Sequence, residues 1–359
     1  MNCQNISLLN AKRIETLKTP FSTRRVPRSA FATLLAGDIA PRAGDLVLCR
    51  VEKIGQHRHL ELVSGRRARL YPGDEIVLAY GNRYAPDQFE SQVPEDLGRC
   101  QMVAAGGIAS MVMSKHGRMK NATVVQPLGL VGDRHGKALN LADFALPEPA
   151  PQTACPFVIS VLGTSMNAGK TETAAQIIRG LRAAGLRVGA AKVTGTGSGG
   201  DVWSMNDAGA ETVLDFTDAG LPSTYLADGE EVVRVMHTLI GYLGASGVDV
   251  VVFEVADGLF QRETAELVKS PEYADAVDAV VFAAGDAMGS AGGVQWLRAL
   301  GLPVRAATGV LTASPLAARE AAAVTGLPVL GLDDLSNAAI TEHLGYAERQ
   351  ALLQIGGAQ

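Results

Sequence analysis

Gly163-Thr-Ser-Met-Asn-Ala-Gly169-Lys170-Thr171 decides the fold of the chain around it. An apolar run, Phe157-Val-Ile-Ser-Val-Leu162, precedes it, and a helical pattern follows from Ala174 to Ala184. A strand, a glycine loop ending in Gly-Lys-Thr and a helix make the layout of a phosphate-binding P-loop. Backbone N–H groups in such a loop and at the helix start point inward and hold phosphate oxygens. Lys170 adds positive charge between the outer phosphates, and the Thr171 hydroxyl can ligate Mg²⁺. The spacing is one residue longer than the usual loop. Gly163, Thr164, Asn167, Ala168, Gly169, Lys170, Thr171 and Glu172 are therefore the expected nucleotide contacts. Lys170 is expected to face solvent until phosphate arrives.

Outward from the loop, the chain alternates strands and helices. Apolar strands are expected at 157–162, 188–193, 249–255, 278–284, 303–309 and 328–332. Helical stretches fall near 170–185, 203–210, 230–245, 289–300, 314–325 and 335–347. Near-continuous Val, Ala and Ile strands predict a parallel sheet covered by helices on both faces, with ligands at the carboxyl ends of its strands. The fold class is α/β over 153–359, with a smaller β-rich domain over 1–148. Leu146-Pro-Glu-Pro-Ala-Pro-Gln152 reads as the extended linker between them. Short strands broken by Gly and Pro between 43 and 80 suggest a barrel or meander. One helix is expected after Gly106-Gly107, ending near His116-Gly117.

Charge follows the same division. Residues 1–150 carry a formal +6 and residues 151–359 carry −11. Opposite balances suggest two domains with different jobs. The cysteines, Cys3, Cys49, Cys100 and Cys155, form no Cys-x-x-Cys pair, so neither a zinc ribbon nor a disulfide framework is indicated. The N-terminus lacks the charged start and apolar block of a signal peptide, and no apolar stretch reaches membrane-spanning length. A reduced cytoplasmic setting is expected.

Several further residues carry chemistry. Lys192 ends the second strand and enters a loop with Gly195, Gly197, Gly199 and Gly200 before Asp201. Nothing in the sequence gives these glycines a packing purpose. The loop is expected to be mobile enough to close over a cleft. Lys192 would contact phosphate or substrate. Asp201 would meet Mg²⁺ directly or through water, or merely cap a helix. Val248-Asp-Val-Val-Val-Phe-Glu254 delivers an acid to the end of a buried strand, with Asp257-Gly258 just beyond. Glu254 is the expected metal-shell carboxylate and a catalytic candidate with Lys170 and Lys192; Asp257 is second. Asp286 either lines the same cleft or caps a helix. Gly309 to Pro315 falls where such proteins often contact the base, and no Asn-Lys-x-Asp guanine reader is present. That absence favours adenine. His57 and His59 share one face of an expected strand without making a metal site. Arg24, Arg25 and Arg28, with Arg66, Arg67 and Arg69, form either an anion site or a solvated basic face. The chain has no aromatic interleaving of the kind that stacks bases, so nucleic acid is not favoured.

These motifs resemble a family. The loop through Gly169-Lys170-Thr171 resembles the P-loop of dethiobiotin synthetase, extra residue included. The Lys192-Val-Thr-Gly195 turn and Glu254-Val-Ala-Asp257-Gly258 resemble that family's next two loops. The stretch from Asp201-Val-Trp-Ser-Met-Asn-Asp207 to Ala210 resembles one in the MobB accessory protein for molybdopterin dinucleotide. Both belong to the SIMIBI branch of P-loop proteins. Met166-Asn-Ala168 departs from the first lysine of the ParA-like motif. The resemblance covers about 155–335, and the first 150 residues match neither family. A DUF1611-type two-domain group is a further relative.

The resemblance implies an ATP- and Mg²⁺-dependent ligase or phosphotransferase acting on a small anionic metabolite. Thr171, Asp201 and Glu254 would hold the metal. The alternatives it leaves are an accessory NTPase in cofactor assembly and an N-acyltransferase that binds coenzyme A in the loop. The substrate is expected between the domains, in a homo-oligomer.

Overall fold

The computed structural model describes residues 4–150 and 156–356, and the side chains of 5–351 within them. Cys3, Cys155 and the linker's Pro151 and Gln152 lie outside the described residues. The chain divides into two compact units. One comprises 1–147 together with 195–200 and 216–227; the other comprises 148–194, 201–215 and 228–359.

The first unit is built on strands. In chain order these are β1 (Gln4–Leu8), β2 (Thr33–Gly37), β3 (Leu46–Lys53), β4 (His59–Glu61), β5 (Arg67–Arg69) and β6 (Glu75–Tyr80). They continue with β7 (Arg83–Tyr84), β8 (Phe89–Gln92), β9 (Cys100–Ala104), β10 (Ile108–Lys115) and β11 (Thr123–Gly132). One short helix, α1, spans Ala11–Thr16. β11 pairs with β3, β3 with β6, β6 with β10, β10 with β9, and β9 with β11. That ring closes a barrel, which removes the exposed edges an open sheet would leave. Alternate residues feed two apolar clusters: Leu46, Leu48, Val77 and Ala79 one, Val47, Cys49, Ile76 and Leu78 the other.

The helix expected after Gly106-Gly107 is strand β10. Gly107 adopts a φ of +100°, closing a hairpin between β9 and β10. Ile108 and Ala109 also pair in parallel with Ala79 and Tyr80. Two apolar runs around Gly-Gly make a hairpin signal, and the ladders on both sides decide the outcome.

The second unit opens with β12 (Phe157–Gly163), α2 (Lys170–Ala183), β13 (Val188–Lys192), α3 (Gly200–Asp207), β14 (Thr212–Asp215) and α4 (Gly229–Ala245). Next come β15 (Val250–Glu254), α5 (Arg262–Lys269), α6 (Pro271–Ala276), β16 (Ala279–Ala283), α7 (Ala287–Ala299) and β17 (Val304–Thr308). It ends with α8 (Pro315–Thr325), α9 (Leu332–Leu335), α10 (Ile340–Leu344) and α11 (Tyr346–Gly356). The sheet is parallel, in the order β14-β13-β15-β12-β16-β17. Ile159, Val161, Val252 and Val281 face Ile177, Ile178 and Leu181 of α2 on one side. On the other, α4 sets Leu243 against Gly189, and α7 sets Gly293 against the Phe282 ring. Helices cover both faces, as expected from strands apolar on both.

Helices α5 and α6, between β15 and β16, are not among the expected elements, and three further stretches differ from expectation. Residues 328–332 contribute a single bridge, Val329 to Ala307, rather than a strand. Thr212–Asp215 is an edge strand whose half-buried residues lack an apolar run. The stretch 335–347 breaks into short helices because Gly345 turns left-handed at φ +75°. Among the described residues no helix is long and apolar enough to cross a membrane.

Candidate functional site

The central strand β12 runs into the glycine loop at Gly163. The Thr164 N–H donates to the Ala283 carbonyl at 3.0 Å, tying the loop's start to the next strand. Asn167 takes a positive φ of +66°, and Gly169 one of +99° just before α2 begins. Asn tolerates that region better than most residues. Gly258 and Gly309 clamp the loop from either side. A Cβ on Gly258 would stand 2.2 Å from the Thr164 carbonyl oxygen, and one on Gly309 2.4 Å from that of Ala168. Only glycine fits such approaches.

Lys170 is buried, at 6 % exposure. Its ammonium donates to the Ser165 and Asp257 carbonyls, each at 2.8 Å. The expectation of a solvent-facing lysine is thus corrected: two carbonyls hold it against the loop. Burial lowers its pKa, opposed by Glu254 and Asp257. The Asp257 backbone turns left-handed at φ +63° to present its carbonyl. Burial pushes the Asp257 carboxyl up to about 6, against the pull of Lys170 and Lys192.

The next residue along α2 reaches the acids. The Thr171 hydroxyl lies 3.1 Å from Asp201 Oδ1 and 3.2 Å from Glu254 Oε1, close enough to donate to either. Lys192, at the end of β13, pairs with Asp201 and stands 3.9 Å from Glu254 Oε1. Glu254 is 2 % exposed, and its Oε2 has no hydrogen-bond partner among the described residues. An unsatisfied buried carboxylate oxygen is costly, and a cation or a cation-bound water would satisfy it. The donor set, two carboxylates and a hydroxyl, suits a hard divalent cation.

Strand register explains the convergence. β13 and β15 pair with Lys192 beside Glu254, and β15 also pairs with β12. The parallel sheet therefore brings both strand ends to the loop. α3 supplies Asp201 from its first turn. Gly163 to Thr171, Lys192, Asp201 and Glu254 are brought together. Glu172 is not: it is exposed and accepts from the Gln176 side chain at 2.6 Å. Asp286 caps α7, accepting the Gly289 N–H at 2.7 Å. Sequence reasoning missed the Asp257 carbonyl and the clamps at Gly258 and Gly309. The Asp-Gly dipeptide was the one available signal.

Other expectations change. The glycine loop 195–200 has a packing purpose. Within the first unit, the Gly197 N–H donates to the Pro222 carbonyl at 2.9 Å and the Gly199 N–H to the buried Glu61 carboxylate at 3.0 Å. A Cβ on Gly106 would meet the Gly197 carbonyl oxygen at 2.1 Å, so the two backbones need glycine to pass. Arg24 pairs with Asp218 and lies over the Phe21 ring. Arg25 donates to the Phe144 carbonyl at 2.8 Å. Arg28 donates to the Ile14, Glu15 and Leu17 carbonyls at the end of α1. Arg66, Arg67 and Arg69 are exposed, with Arg69 near the Tyr71 ring. Of the two histidines only His59 lies in a strand; burial and Arg83 lower His57 to about 4.

No protein-family model matches this chain, and no curated protein matches it. Among solved structures, the 54 kDa signal recognition particle protein of Aeropyrum pernix K1 in complex with GDP is similar at 20 % identity and a TM-score of 0.37. That match covers 57 % of this chain and spans half the length, 50 %, of the other. The signal recognition particle receptor FtsY of Elizabethkingia anophelis matches at 16 % identity and 0.35, covering 58 % of this chain and 74 % of that one. Its GDP complex matches at 17 % and 0.34, covering 56 % and 66 %.

These findings correct the resemblance to dethiobiotin synthetase, MobB and the DUF1611-type group. The similar structures are a signal recognition particle protein and a signal recognition particle receptor, and two hold GDP rather than ATP. The ATP cofactor and ATP hydrolysis, the ligase, phosphotransferase and acyltransferase chemistries, and the small anionic substrate with its homo-oligomer do not hold. Likeness of this degree assigns no activity to this chain.

Proposed function

We propose that the C-terminal unit is an accessory nucleotide-binding NTPase that takes a nucleoside di- or triphosphate with Mg²⁺ at the loop 163–171. The observation that carries this reading is the convergence of the Thr171 hydroxyl with Asp201 and Glu254, beside Lys170. N–H groups at the start of α2 would hold phosphate oxygens. Lys170 would exchange its two carbonyl acceptors for phosphate, a stronger charge-assisted partner. Thr171, Asp201 and Glu254 would hold Mg²⁺, which neutralises phosphate charge when bound.

The test is calorimetric titration of the full chain with GDP and GTP, with and without Mg²⁺. GDP is the first probe because two of the similar structures hold it. Binding that tightens with Mg²⁺, followed by phosphate release from GTP, supports the reading. No heat with either nucleotide defeats it.

A further inference from the structure

Lys192 ends among oxygen atoms rather than in solvent, its side chain 12 % exposed. It pairs with Asp201 and lies 3.9 Å from Glu254 Oε1. The Thr171 hydroxyl reaches the same two acids, at 3.1 and 3.2 Å. One ammonium and one hydroxyl therefore share one pair of carboxylates. The other oxygen of Glu254 is buried and unpartnered among the described residues. Neighbouring carboxylates disfavour each other's charge unless a cation lies with them. The register of β13 on β15 delivers that cation, because Lys192 is the direct partner of Glu254.

We propose that Lys192 is the resident counter-ion of the Asp201–Glu254 pair, and that a divalent cation must displace it to bind. The inference rests on the Mg²⁺ reading of the site. A hard divalent cation needs carboxylate oxygens as its own ligands. An ammonium on the same oxygens would stand beside two further positive charges, and like charges repel strongly at that range. The two occupants therefore compete. Once displaced, the ammonium turns on its flexible stem toward an anion at the loop. Phosphate thereby draws Lys192 from the acids as the cation enters, so the two ligands bind with positive linkage.

The test uses Mn²⁺ as the probe, read by electron paramagnetic resonance on the full chain without nucleotide. Lys192→Met should bind Mn²⁺ roughly tenfold tighter than wild type, since removing a competing charge frees the pair. Lys192→Arg keeps the charge and should bind like wild type. Added GDP should tighten Mn²⁺ binding more in wild type than in Lys192→Met, the difference being the linkage that Lys192 carries. Equal Mn²⁺ affinity in wild type and Lys192→Met overturns the proposal, as does a gain in Lys192→Arg equal to that in Lys192→Met. Should Lys192→Met fail to fold, acetic anhydride labelling of wild type reads the same event. Saturating Mn²⁺ should speed acetylation of Lys192 several-fold, and an unchanged rate overturns the proposal. Failure of GDP to bind would defeat the nucleotide reading alone, because the Mn²⁺ comparison needs no nucleotide.

Discussion

The basic residues of the two units are spent in different ways. In the first, Arg28 satisfies the carbonyls at the end of α1, and Arg24 and Arg25 hold the buried carboxylate of Asp218. Their guanidiniums hold the fold together. In the second, Lys170 rests on two carbonyls and Lys192 on a pair of acids that also receives the Thr171 hydroxyl. A phosphate outcompetes a neutral carbonyl for an ammonium, and an incoming divalent cation takes an ammonium's place on carboxylates, whereas a buried ion pair that no ligand replaces gives up its partner only at high cost. Clustered positive charge in a sequence is thus no guide to an anion site. What each cation is bonded to in the fold is the guide.

The sharpest way to break this comparison is to remove one cation from each unit. Lys170→Ala should weaken GDP binding by about a thousandfold, near 4 kcal/mol, the loss of two charge-assisted phosphate contacts. Calorimetry checks it, and affinity within a few-fold of wild type would sink the role given to Lys170. Arg24→Ala should instead cost about 3 kcal/mol of stability, because Asp218 stays buried and loses the close guanidinium, with Arg25 farther off at 3.7 Å. Urea denaturation reads that loss. GDP affinity of the folded variant should not change; if it falls as in Lys170→Ala, the contrast between the units collapses.

A smaller effect sharpens the picture at Asp257. Its carboxyl is raised to about 6 by burial from an ordinary 3.8, so the charged form is the one the fold disfavours. The cost is absent below the unfolded value, grows as pH climbs toward 6, and is complete above it. Asp257→Asn keeps the shape and suits the positive φ. It should stabilise the protein by about 3 kcal/mol at pH 8 and by well under about 1 kcal/mol near pH 4. Melting curves across that range that run parallel for variant and wild type would refute the assignment.

Reading elements from the sequence succeeded where local pattern and tertiary environment agree. Phe157–Gly163 is apolar but for Ser160 because the strand is buried on both faces, and Gly169 ends the loop where α2 must start. It failed at Ile108–Lys115, where one end of the strand pairs with β6 and β9 and the other with β8. Those partners lie too far away in sequence to leave a local mark. The edge strand Thr212–Asp215 was missed for the opposite reason, having too little burial to impose an apolar pattern. Within the site, Gly163 to Thr171 could be named from spacing alone, as could the acid that ends β15.

By itself the sequence determined strands β12, β13, β15, β16 and β17 and the helix α2 after the glycine loop, the loop itself, and the types of residue at the strand ends. Each depends on hydrophobic period and turn chemistry, which act over a few residues. The tertiary structure alone decided that Lys170 is buried on the Asp257 carbonyl and that Lys192 and Thr171 share Asp201 and Glu254. It alone gave the glycines at 195–200 a packing role. These outcomes depend on strand register and on close backbone approach between segments far apart in the chain, and no local pattern encodes either.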